Sequence, residues 1–169
     1  AFLGTEMQKL TVDISNKVII SAIKGIIPET NTIVGEHFMQ TYNIPVENIA
    51  VIAGPCHAEE VALERLSYLT IASGDLEKAE IIANCLRSHY IKAKTSDDII
   101  GTEYASMLKN IYAVACGMAH GLGYGDNFQA LLMSNAIREM KKFIKKVHKM
   151  KRNINDSAYL GDLLVTGYS

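Results

Sequence analysis

Cysteine is scarce in this chain: Cys56, Cys85 and Cys116 are widely spaced and odd in number. That pattern argues against a disulfide framework or a zinc site and suits reduced, cytoplasmic thiols acting as small buried hydrophobes. Excess charge is missing too. A formal net charge of −1 does not suit a protein that coats nucleic acid. No apolar run approaches the length of a membrane span, and Ala1-Phe-Leu-Gly presents no basic leader, so neither membrane insertion nor a signal peptide is expected. Internal repeats and low-complexity linkers are lacking. So is a G-x-G-x-x-G turn, the strand-to-helix junction whose amides receive a dinucleotide's pyrophosphate.

What is present is a core-forming composition. An apolar content of 49% over 169 residues can bury a real core in one large or two small domains. The missing initiator Met and the loop-like end at Thr166-Gly-Tyr-Ser169 suggest a fragment. Lys17 to Ile23 is a β-branched apolar run of the kind found in strands buried on both faces. Ile33 to Tyr42 reads as a helix with Ile33, Val34, His37 and Phe38 on one side. Ile49 to Ala53 is a second buried strand, and Glu59 to Arg65 a helix with acidic residues in its first turn. Leu69 to Ser73, Leu76 to Ser88 and Tyr90 to Lys94 then give strand, amphipathic helix and edge strand. This alternation implies parallel β–α units with right-handed crossovers. Beyond Ser96 only helices are expected, over 97–120, 126–150 and about 156–164. The expected fold is α/β then all-α. Residues 1–96 form the later strands of a Rossmann-type parallel sheet, and residues 97–169 a helical domain.

The stretch from Glu103 to Asn127 organises the rest. Wound as a helix, it puts Met107, Ile111, Val114 and Met118 on an apolar stripe suited to a core. The opposite face carries Thr102, Ala105, Ser106, Ala113, Cys116 and His120, with Lys109 in its middle. Small neighbours let a ligand or another backbone approach that lysine. If covered, it would lose solvation and proton affinity and become a usable acid or base; the plainer reading is a lysine snorkelling at the rim of a buried helix. Glycines at 117, 121, 123 and 125 end the helix. Asp126 fits an N-cap, with Gln129 completing a capping box.

Ligands of open α/β sheets sit beyond the carboxyl ends of the strands. Lys24 closes the first strand, and Gly25 after it leaves room. The second strand ends in Gly54-Pro-Cys-His-Ala58, leading into a helix whose free amides favour an anion such as phosphate. Both features also read as ordinary turns. Asp162, between a glycine and an apolar segment, is either an N-cap or a polar residue turned into a cleft. Lys141 to Arg152 interleaves charge with Phe143, Ile144, Val147 and Met150 and reads as a solvated helix face rather than a nucleic-acid stripe. His57 and His120 have no ligand-spaced partners, so no metal site is expected.

Taken together, the order and spacing of Lys24-Gly25, Gly54-Pro-Cys-His-Ala-Glu-Glu60, Glu103-Tyr-Ala-Ser-Met-Leu-Lys109-Asn110, Gly121-Leu-Gly-Tyr-Gly-Asp-Asn127 and Leu160-Gly-Asp162 resemble the NAD(P)-dependent glycerol-3-phosphate dehydrogenases. The resemblance covers nearly the whole chain. It implies a Rossmann domain followed by a helical domain with the active site between them, and NAD(H) or NADP(H) as cofactor. It further implies reduction of dihydroxyacetone phosphate to sn-glycerol 3-phosphate for phospholipid synthesis, in the cytoplasm, with a homodimer left open. Lys109 would be the catalytic acid/base and touch substrate. Lys24, Gly54, Cys56, Asn110 and Asp162 would contact substrate, and Lys24 and Ala58 the cofactor. Cys56 and His57 stand where the family usually has Ser and Phe, which keeps a 6-phosphogluconate-type hydroxyacid dehydrogenase open as a second reading, and an inactive fragment as a third. Neither the glycine-rich loop nor the Arg-Asn segment that the resemblance leads one to expect after Ser169 lies in this sequence.

Overall fold

The computed structural model describes residues 2–168. A short helix α1 (Leu3–Met7) precedes strand β1 (Ile19–Ser21) and a small hairpin, β2 (Ile26–Ile27) and β3 (Thr32–Ile33). Helix α2 (Val34–Tyr42) follows, then β4 (Ile49–Ala53), α3 (Ala58–Ala62), β5 (Ser67–Ser73), α4 (Leu76–Leu86) and β6 (Ile91–Ser96). From there the described chain is helical: α5 (Ile99–Gly121), α6 (Asp126–Val147), a π turn at Ser157–Gly161 and α7 (Asp162–Tyr168). No helix among the described residues is long and apolar enough to cross a membrane.

The main sheet has the order β1-β4-β5-β6. Its pairs β1/β4 and β5/β6 are parallel, but β4 and β5 run antiparallel, with Ala53 opposite Thr70. The expected Rossmann-type parallel sheet followed by helices is found, with the β4/β5 pair as its antiparallel exception. The reason lies in α3. Five helical residues advance only ~7.5 Å, whereas the five residues of β4 span ~17 Å. So short a helix does not return the chain to the start of β4, and β5 departs from the end where β4 stopped.

Alternation along β4 divides the core. Ile49 and Val51 pack with Val34, Phe38 and Ile99 on one face. Ala50 faces the other way, onto Ile71 and onto Ala79 and Ala83 of α4. Ala53, at the strand's end, joins a third cluster with Ala105, Leu108, Met140 and Leu163. β1, expected to be buried on both faces, lies at the sheet edge with Ile20 half exposed.

Two smaller expectations also change. Gly125, not Asp126, is the N-cap of α6, and the Gln129 side chain donates to the Gly167 carbonyl instead of closing a capping box. Only Cys116 of the three thiols is buried; Cys56 is half-buried and Cys85 exposed.

Candidate active site

Helix α5 begins where Asp98 accepts the Gly101 amide as an N-cap. It then runs past the end of β4. Its faces differ from the expectation from hydrophobicity, although Met107 packs on the core as expected and His120 is exposed. Ile111, Val114 and Met118 are 58%, 63% and 64% exposed, while Thr102, Ala105, Ser106, Lys109 and Cys116 are buried. Small side chains let α7 approach closely: a Cβ on Gly167 would stand 3.6 Å from the Cys116 sulfur of α5 and 2.7 Å from the Met133 sulfur of α6. That approach also delivers the partner that makes a buried lysine tolerable.

The partner is Asp162, the first residue of α7. Lys109 Nζ donates to its Oδ1 at 2.5 Å, with both residues almost wholly buried. The other carboxylate oxygen faces Lys24 Nζ and the Gly54 amide, each at 3.4 Å. Asn110 reaches back from α5, its Nδ2 3.4 Å from the Lys24 carbonyl. Asp162 is thus held, almost wholly buried, by two ammonium groups and one backbone amide. Thr166 Oγ1 donates to its carbonyl at 2.7 Å.

Backbone geometry fixes the tip of β4. Gly54 has φ +120°, and a Cβ there would lie 2.6 Å from the Tyr68 carbonyl, so only glycine is accommodated. Nearby, Gly161 rests against Pro55, and Ser157 shares a hydroxyl contact of 3.2 Å with Thr70 of β5. These contacts place the start of α7 on the strand tips.

Burial lowers the Lys109 pKa from its ordinary 10.5, and the neighbouring Lys24 charge adds to that, while the hydrogen bond and charge of Asp162 oppose it. Lys109, Lys24 and Asp162 carry a net charge of about +1 when ionised. That balance suits an anionic guest. Beside Lys24, nothing stands within 4 Å of the position a Cβ on Gly25 would take, so the β1 tip has room.

Of the residues singled out in the sequence, Lys24, Gly54, Lys109, Asn110 and Asp162 come together. Cys56 and Ala58 sit further along the loop and into α3, without a hydrogen bond to that group among the described residues. The five-residue α3 carries little of the dipole expected to draw an anion. A cavity of about 330 Å³ lies elsewhere, toward the end of α5 between Cys116, His120, Gln129 and Gly167.

Sequence reasoning passed over three buried charges. Arg152, counted with a solvated run, turns inward onto Asp98. Asp98 was legible as a capping aspartate just before an apolar helix; its long-range partners were not. Glu103 is also buried, against Gly35.

Residues 1–79 match the N-terminal part of the NAD-dependent glycerol-3-phosphate dehydrogenase family, and residues 98–169 match its C-terminal part. The chain is 37% identical over 155 residues to the NAD(P)+ glycerol-3-phosphate dehydrogenase of Streptococcus suis, covering 90% of this chain and 45% of that protein. A Streptococcus pyogenes relative of the same name is 36% identical over 156 residues, again covering 90% and 45%. Among solved structures, the glycerol-3-phosphate dehydrogenase of Coxiella burnetii superposes with a TM-score of 0.85 at 28% identity, covering 96% of this chain and 49% of the other. That of Plasmodium falciparum gives 0.85 at 26% identity, covering 99% and 48%. The chain spans about half the length of the curated relatives it matches. By both halves of its sequence and by its fold, it belongs to the NAD-dependent glycerol-3-phosphate dehydrogenase family.

Proposed function

We propose that this chain carries the substrate end of an NAD(P)H-dependent enzyme that interconverts dihydroxyacetone phosphate and sn-glycerol 3-phosphate. The observation that supports it above others is the buried Lys109–Asp162 pair at the tips of β1 and β4. Division into a nucleotide-binding part over 1–96 and a helical part over 97–169 belongs to the same reading, since strands stop at Ser96 and α5 starts at Ile99.

The residues present fit the reactive end of a nicotinamide cofactor and not its pyrophosphate. Space for a Cβ beside Gly25, next to Lys24, leaves the backbone there open to close approach by a ligand, while the sequence has no glycine-rich phosphate turn. When bound, the cofactor supplies the hydride and the chain supplies position and charge. Lys109, as an ammonium, polarises the C2 carbonyl and gives its proton to that oxygen as the carbonyl carbon is reduced. In oxidation it takes the hydroxyl proton back. Asp162 orients Lys109 and favours its charged form. Lys24 adds positive charge toward the phosphate, and Asn110 ties α5 to the backbone at Lys24.

A substrate panel on the full-length protein tests this reading. A three-carbon phosphoketone should be preferred over six-carbon acids with either nucleotide. Preference for a hydroxyacid such as 6-phosphogluconate would replace it.

A further inference from the structure

Glu103 is 2% exposed, and no cation pairs with it among the described residues. Both its oxygens accept the Gly35 amide, at 3.2 and 3.0 Å, in the first turn of α2. The Val34 amide also favours the charged carboxylate. The charged or titratable groups that bear on it are Glu36 of α2 and its own neighbour Tyr104, and neither is positive. Burial, opposed by the Gly35 amide and reinforced by the Glu36 charge, lifts its carboxyl from 4.5 to about 7. An apolar side chain would avoid that desolvation, so the carboxylate is a costly choice for packing alone.

Its location suggests what the carboxylate secures. Gly35 sits where three elements converge: a Cβ on it would be 2.8 Å from Glu103 Oε2 and 3.5 Å from both Ile49 at the start of β4 and Ile99 at the start of α5. Six residues later along α5, ~9 Å up the helix axis, Lys109 meets Asp162 and the tip of β4. Helix α5 is therefore held at two levels, to the first turn of α2 beside the start of β4 by Glu103, and at the tip of β4 through the Lys109–Asp162 pair.

We propose that Glu103 is a positioning residue, whose grip on the first turn of α2 sets the axial position and rotation of α5 and so places the Lys109 ammonium at Asp162 and the strand tips. The amides at an N-terminus are directional donors. A carboxylate engaging them fixes a helix more sharply than apolar contacts, which tolerate sliding. This assignment rests on Lys109 being the reacting amine, and it is separable from the identity of the substrate.

The test reads Lys109 directly. Carbon-13 NMR of side-chain-labelled lysine in the full chain follows its titration in wild type, Glu103→Gln and Gly35→Ala. Glutamine keeps the shape but loses one acceptor oxygen; a methyl at 35 displaces the carboxylate. In each folded variant the Lys109 titration should depart from that of the wild type, upward where burial relaxes and downward where the hydrogen bond to Asp162 is lost. In the full-length enzyme kcat should fall ~10²-fold, as for a misplacement of about 1 Å, with the KM for nucleotide unchanged. Melting of Glu103→Gln at pH 8 should not fall in parallel, because the variant no longer buries a charge. A wild-type Lys109 titration in either folded variant would overturn the proposal. Should Glu103→Gln not fold, Gly35→Ala decides alone. If the lysine titration shifts while Lys109→Met stays active, the positioning stands and the dehydrogenase reading falls.

Discussion

Lys109 and Asp162, 53 positions apart in sequence, form a buried ion pair of 2.5 Å at the place where α5, α7 and the tip of β4 meet. Most of what this chain is proposed to do depends on that contact.

Replacing Lys109 with Met in the full-length protein should lower turnover by ~10²–10⁴-fold or more, the range for a lost general acid. It should also destabilise the fold by about 3–5 kcal/mol, since Asp162 stays buried without its nearest cation. Pairing it with Asp162→Asn should restore much of the stability and none of the activity. Urea unfolding and turnover on the three proteins check both statements. An active Lys109→Met would remove the lysine from its assigned role.

The pH profile follows from the same pair. On the role proposed for Lys109, reduction needs its ammonium form, and burial holds the Lys109 pKa below 10.5. The alkaline limb of kcat/KM should therefore fall before that pH, with a rise in oxidation over the same interval. Asp162 favours the proton on Lys109, so Asp162→Asn should move the limb to lower pH. A limb that does not move would separate the two residues. In stability the sign is the reverse of a surface ion pair's: the folded state binds this proton less tightly than the unfolded one. Stability should thus rise as pH climbs from the folded pKa toward 10.5.

Arg152 and Asp98 should matter for stability rather than chemistry. Arg152 Nε and Nη2 donate to Asp98 at 2.6 and 3.0 Å, and Tyr159 Oη donates at 2.5 Å. Burial raises the Asp98 carboxyl, but the Arg152, Tyr159 and Gly101 hydrogen bonds outweigh it and hold the pKa below 3.8. Arg152→Ala should cost about 3–5 kcal/mol in urea unfolding at neutral pH, because a buried carboxylate loses its counter-charge. Above pH 3.8 the wild-type contribution is complete; it is lost as pH falls through the depressed folded value. Equal stability of variant and wild type at pH 7 would contradict the pairing.

Gly54→Ala tests the strand tip. With φ at +120° and the Tyr68 carbonyl 2.6 Å from the added carbon, the substitution should cost ~1–3 kcal/mol in backbone strain alone. It should also draw the residue-54 amide away from Asp162 and raise the KM for substrate. Chemical denaturation and steady-state kinetics read the two effects. Unchanged values in both would show that the tip can adapt.

The local vocabulary of the chain determined a good deal without any coordinates. Ile49–Ala53 is a strand because a β-branched apolar run has few other stable settings, and Leu76–Leu86 a helix because its apolar spacing matches 3.6 residues per turn. Lys109 could be singled out as an odd charge among Ala105, Ser106 and Cys116, and Gly54 as the end of a strand. Which face of α5 turned inward was decided only in three dimensions. Hydrophobicity favoured Ile111, Val114 and Met118, yet the charged face is buried because α7 supplies Asp162 at hydrogen-bonding distance and small residues let it come close. The reversal between β4 and β5 is likewise a matter of how far five helical residues reach. Periodicity records what a segment could bury; the partner that offsets a buried charge lies far along the chain, and only folding brings it near.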